Sequence, residues 1–263
     1  MAKDETAPAN GDEPPIDWSQ AKSIANEPII RRFVEKIGGR LVDKLVSNPE
    51  FENADFYFEE ADVFVELKVL ETEFVDGPEF QKKLASLHQK VELAHGRNAL
   101  AHRKPKAVEA FGSGILEILR PPLARTAKKA SSQLKSTRDN LKRPNAKGIL
   151  WLVNDNFRGL PPERVVGLMG RILNGSCSGV DGLIYLTNHY IELPDDEFAR
   201  IAWVPIYRDE TDDKLSEFVN WLGKEWFDFV ENEEGPVESR LAGDDLSIRG
   251  SRVVTSPYRT IRD

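Results

Sequence analysis

A chain of 263 residues, 40% hydrophobic, 30% charged and net −8, can bury a sizeable core as one large domain with appendages. No run of about 18 apolar residues exists, which excludes a helical membrane span, and the polar start from Met1 to Pro15 lacks the apolar centre of a secretory signal. The single cysteine, Cys177, excludes an internal disulfide and a cysteine-based zinc site within one chain, and suits a cytoplasmic location.

Residues 1–20, rich in Lys, Asp, Glu, Pro, Gly and Asn, read as a disordered tail. Glu27-Pro28 opens a helix, and Ile30, Phe33, Val34, Ile37, Leu41 and Leu45 carry helical spacing to about Val46, across Gly38-Gly39. Phe56-Tyr57-Phe58 and Val63-Phe64-Val65 are aromatic and β-branched runs separated only by Glu59–Asp62, so residues 55–70 read as a β-hairpin turning at Glu60-Ala61. Residues 79–103 read as a helix, 107–120 less clearly so, and Pro121-Pro122 as a firm break. Ala124 to Leu141 then reads as a basic helix.

The apolar run 149–153 reads as a buried central strand. A helix over 162–173, strands over 182–186 and 201–207, and an amphipathic helix over 212–230 follow, the last rich in Trp and Phe. Trp203, Trp221, Trp226 and Phe229 read as core. Residues 232–263 read as a polar, loosely ordered tail. This order predicts an α/β fold with a mixed sheet flanked by helices, occupying residues 21–231.

Charge is unevenly placed. Residues 81–147 hold sixteen Lys and Arg against four Asp and Glu, while the rest of the chain holds twenty against forty. An acidic protein with one concentrated basic segment points to a polyanion-facing side. His88, His95 and His102 recur every seven residues, which suits a surface or nucleic-acid-facing helix more than a zinc site.

In the hairpin, alternation puts Glu66 and Lys68 on one face, and a two-residue turn pairs Asp55 with Glu66. Two carboxylates and an ammonium among apolar strand residues are costly to bury, and binding a cation is the most direct reason for them to be there. Asp55, ten intervening residues, then Glu66-Leu67-Lys68 resembles the PD-(D/E)xK motif of the restriction-endonuclease-like nucleases. The motif itself covers residues 53–70, and the order of elements extends the likeness to about 27–208. Ala54 stands where the motif has proline. Asp212-Asp213-Lys214 also fits (D/E)-x-K, but in an acidic helix start without a partner aspartate.

The resemblance implies a restriction-endonuclease-like fold with a basic helical insertion at about 75–125. It also implies a Mg²⁺-dependent nuclease, Mn²⁺ substituting, acting on DNA, and double-strand cutting would favour a homodimer. Asp55 and Glu66 would ligate the metal, with the Val65 carbonyl a third oxygen, and the Lys68 ammonium would stabilise developing charge. Glu27, on the core-facing side of the first helix, and Gln133, on the basic helix, are auxiliary candidates. Asp62 shares strand parity with Glu66 but reads as a turn residue. Arg125, Lys128, Lys129, Lys135, Arg138, Lys142 and Arg143 would contact phosphates. Two other classes remain open: a catalytically silent nucleic-acid-binding protein on the same fold, and an interaction protein whose basic segment docks an acidic partner.

Overall fold

A computed structural model of the chain describes residues 25–46, 51–70, 77–155, 157, 160–188, 191–194, 200–208, 213–237, 239–241 and 248–253. The expected N-terminal tail, His189 and Asp212 lie outside the described residues. Helix α1 (Glu27–Lys36) is capped by the Asn26 side chain, which accepts from the Ile29 N–H at 3.0 Å. It stops at Lys36, ten residues short of the predicted end. Gly38 turns the chain at φ +86, and Gly39 packs where a Cβ would lie 2.5 Å from Val34 and 2.8 Å from Phe58. Leu41 and Leu45 therefore belong to strand β1 (Arg40–Leu41) and the region of a 3-10 turn (Val42–Lys44), not to the helix.

Strands β2 (Phe56–Phe58) and β3 (Val63–Leu70) form the predicted hairpin. The Asp62 N–H bonds the Glu59 carbonyl at 3.2 Å, so Glu60 and Ala61 are the turn centre, and Phe58 faces Val63. The chain then rises through helices α2 (Pro78–His95) and α3 (Pro105–Asn140) and returns as β4 (Lys147–Asn154), which pairs parallel to β3. Helix α4 (Pro162–Ser176) leads to β5 (Gly182–Thr187), parallel to β4. A short strand β6 (Ile191–Glu192) precedes β7 (Trp203–Tyr207) and helix α5 (Asp213–Glu234).

The result is an α/β fold on an open six-stranded mixed sheet of order β1-β2-β3-β4-β5-β7. Helices α3 and α4 cover one face, over Leu150, Leu152 and Tyr185; α1 and α5 cover the other, over Val65, Trp151 and Val153. On the second face Phe33, Trp151, Trp203 and Trp226 meet edge to face, with Trp151 and Trp203 centroids 5.4 Å apart. Trp226 and Phe229 are buried as predicted, but Trp221 is 39% exposed, resting on Phe58 and Phe218.

Two further differences have plain causes. Pro121-Pro122 does not break α3. The carbonyls robbed of a donor belong to Glu117, an exposed residue, and Ile118, a half-buried one, while Leu119 and Leu123 are fully buried and hold the helix down. The basic insertion and the basic helix are thus one rod. The expected loose tail carries strand β8 (Arg252–Val253), which pairs with β6, and the Gly250 N–H bonds the Glu163 carboxylate at 2.6 Å.

Candidate active site

Asp55 ends the loop before β2. Its N–H bonds the Val65 carbonyl at 3.2 Å, although the strand register places it across from Glu66. That one-residue offset is the signature of a β-bulge, which re-aims a side chain. The Asp55 carboxylate accordingly lies along the strand edge, and its Oδ2 accepts the Leu67 N–H at 2.7 Å. Glu66 and Lys68 project from β3 toward α3, in register with Leu150 and Leu152. Glu66 is 0% exposed. Its Oε1 receives the Lys68 ammonium in direct contact, and its Oε2 is buried, with the Asp55 carboxyl group within hydrogen-bonding reach.

The electrostatics follow from this packing. Burial first, then the Asp55 charge, raises the Glu66 carboxyl to about 8 against the pull of Lys68. Burial raises Asp55 as well, opposed by the Leu67 N–H and Lys68. Glu27 raises Asp55 further and Arg31 lowers it, so the first turn of α1 stands within electrostatic reach of the pair. Glu27 is itself paired to Arg31 at 2.8 Å on the exposed rim.

Helix α3 fixes the approach to Asp55 from behind. Gln133 donates its amide to the Asn53 carbonyl at 3.1 Å, and Thr137 accepts the Ala54 N–H at 2.7 Å. Carbonyl and N–H belong to the same peptide unit, so two side chains one helical turn apart grip both of its ends. Thr137 is 0% exposed and donates onward to the Gln133 carbonyl at 2.8 Å. The N–H that Thr137 takes is one a proline at position 54 would lack. Gln133 Oε1 is buried without a partner on the same side of the helix.

Asp55, Glu66 and Lys68 are therefore brought together as the sequence predicts, with Gln133 behind them and Glu27 at the rim. The Val65 carbonyl accepts the Asp55 N–H in the hairpin, which leaves its second lone pair free of that bond. The Leu67 peptide faces the same edge two residues on, past the end of β2. Arg138 differs from its predicted role. Its guanidinium is 12% exposed, pairs with Asp181 at 2.6 Å and donates to the Gly179 carbonyl at 2.9 Å, so it anchors α3 and does not face a phosphate. Asp62 sits at the turn, accepting the Tyr57 hydroxyl at 2.9 Å.

Arg125, Lys128, Lys135, Lys142 and Arg143 are exposed, and Arg143 lies over the Tyr57 ring. Lys129, one turn before Gln133, reaches toward Glu52 at 3.8 Å beside the site. Arg125 and Lys128, with Arg120, line a hollow of ≈ 310 Å³. The sequence reading missed Arg31, and it took Thr137 as a further hydrogen bond to nucleic acid, whereas its hydroxyl is buried against Ala54 and Gln133. Arg31 announces itself as the i+4 partner of Glu27, whereas Thr137 depends on where α3 docks.

Among the described residues no group of three or more His, Cys, Asp or Glu forms a ready metal cage. A Mg²⁺ that keeps most of its waters needs only one or two carboxylates. The fully buried Glu66 beside Asp55 fits that demand. Among the described residues no helix is long and apolar enough to cross a membrane. No family model, curated protein or solved structure matches the chain.

Proposed function

We propose that this protein is a Mg²⁺-dependent nuclease of the restriction-endonuclease-like type that hydrolyses phosphodiester bonds in DNA. The observation that carries the reading is Glu66: a wholly buried carboxyl group with one oxygen against Lys68 and the Asp55 carboxyl group within hydrogen-bonding reach. Two carboxyl groups held this close in a core repel each other once both ionise, and a bound cation removes that cost. The helix–hairpin–helix–strand order and the mixed sheet support the same reading.

Asp55 and Glu66 would hold the ion. When bound, Mg²⁺ would neutralise charge on the phosphoryl group and make a coordinated water more acidic. To serve as a ligand Glu66 would lose to solvent the proton that burial and the Asp55 charge keep on it. Lys68, 22% exposed, keeps an ammonium at the edge of the site, where it donates to a phosphoryl oxygen as negative charge grows. The Asp55–Leu67 bond and the grip of Gln133 and Thr137 hold the first carboxylate still while this happens. Exposed cations on α3, Lys129 nearest the site, supply sequence-independent attraction to the backbone.

The test is incubation of double-stranded DNA, single-stranded DNA and RNA with Mg²⁺, Mn²⁺ or EDTA, using wild type and Lys68→Ala. The expected result is DNA cleavage with either metal, none in EDTA, and a loss of about 100-fold or more in the variant. Binding without cleavage under every condition would favour a silent nucleic-acid-binding protein on the same scaffold.

A further inference from the structure

Beyond the sheet, α2 and the first half of α3 form an arm with a small core of its own. Val91, Ala99 and Ala107 are buried there with Leu87, Leu100, Ala110 and Phe111 around them, and no sheet residue takes part. Gly114 lets the two helices close, since a Cβ would lie 2.3 Å from the Leu87 side chain. The turn at the end of the arm is firmly built. The Glu92 carboxylate accepts the Leu100 N–H at 3.1 Å, which holds its pKa below the usual range, and Lys104 donates to the His95 carbonyl at 3.1 Å. His102 and Lys104 N–H groups bond Asn98 and Ala99 carbonyls.

This end of the arm is rich in cations, with Glu92 and Glu109 at its borders. Residues 93–108 contain Arg97, Arg103, Lys104 and Lys106 and no Asp or Glu. All four are exposed, and Arg97, Arg103 and Lys106 enter no ion pair among the described residues. Nearer the body Lys83, Lys129 and Arg138 each face a carboxylate, while Arg125, Lys128 and Lys135 are exposed like the cations of the arm. At about 1.5 Å rise per residue, α3 from Lys106 to Lys129 is about 35 Å long. A B-form duplex repeats every 34–36 Å or so, presenting the same backbone face again after about 10 base pairs.

We infer that the end of this arm is a second phosphate-binding surface for duplex DNA, set about one helical turn from the cleavage site. The inference rests on the nuclease reading and gives it a substrate: a duplex long enough to span site and arm. Charge complementarity selects the partner, and the rigidity of the turn fixes the spacing.

The experiment uses full-length protein carrying Glu66→Gln, with duplexes of about 8 and about 24 base pairs, below and above the length needed to span the two points. The variant Arg97→Gln/Arg103→Gln/Lys106→Gln is compared; Lys104 is kept because it closes the turn. Expected is about 10-fold or greater loss of affinity for the long duplex, little for the short one, and a salt slope smaller by about 2–3 for the long duplex. A hydroxyl-radical footprint of the unmutated arm should show two protected patches about 10 base pairs apart. A single patch, or equal weakening on both lengths, would overturn the arm as a duplex contact and leave the nuclease reading standing. Failure of the intact arm to bind any nucleic acid, with retention on polyglutamate, would overturn both and assign the arm to an acidic protein.

Discussion

Glu66 ties structure to pH. Its folded pKa of about 8 stands above its ordinary 4.5, so between those values the folded chain holds a proton that the unfolded chain has released. Stability contributed by this group is present at low pH and lost as pH rises toward 8. Metal-free protein should therefore unfold at lower urea as pH goes from about 5 to about 8, and Glu66→Gln should flatten that trend. Metal binding should release close to one proton at neutral pH, read by calorimetry in buffers of different ionisation enthalpy. A second prediction concerns Thr137. Thr137→Val leaves the Ala54 N–H buried without an acceptor, a loss of about 1–3 kcal/mol in urea unfolding that Thr137→Ser should largely avoid. Ala54→Pro, though it restores the usual motif residue, should also destabilise, since it deletes the donor. The Asp55–Glu66–Lys68 trio was legible because strand alternation is strictly two and the turn at Glu60-Ala61 sets its register. Thr137 was not, because its role exists only once a helix eighty residues further along has docked.

At the scale of elements, α3 is held from two sides. Gln133 and Thr137 bind the loop before β2, while Arg138 and Ser131 bind Gly179 in the turn before β5. A Cβ on Gly179 would lie 2.2 Å from the Ser131 carbonyl oxygen, a backbone atom with no room to move. Gly179→Ala is therefore predicted to destabilise by about 1–3 kcal/mol and to lower cleavage through displaced α3. Arg138→Ala should reduce stability by a similar amount, about 1–3 kcal/mol, without changing the salt dependence of DNA binding, whereas Lys129→Ala should do the reverse. Urea midpoints and binding titrations across salt separate the two. The misreadings at this scale share a cause: local signals gave way to packing. Gly38-Gly39 ended a helix whose apolar spacing continued, and Pro121-Pro122 failed to end one whose neighbours Leu119 and Leu123 are anchored.

For the whole molecule, the net charge of −8 conceals a division into an acidic body and a basic rod. That division was readable from composition alone. Its shape was not, because only the fold shows that α2 and α3 leave the sheet together and carry unpaired cations to their far end. On the nuclease reading proposed above, an acidic body beside a cationic arm would favour approach of a polyanion along the arm. The measurement that bears most directly on the account is nicking of supercoiled plasmid at pH 8 by wild type and Glu66→Gln, each with Mg²⁺ and with EDTA. The account predicts conversion to open circles by wild type with Mg²⁺ alone, and none by the variant, which still binds the plasmid. Cleavage by the variant at the wild-type rate, or cleavage that persists in EDTA, would contradict it.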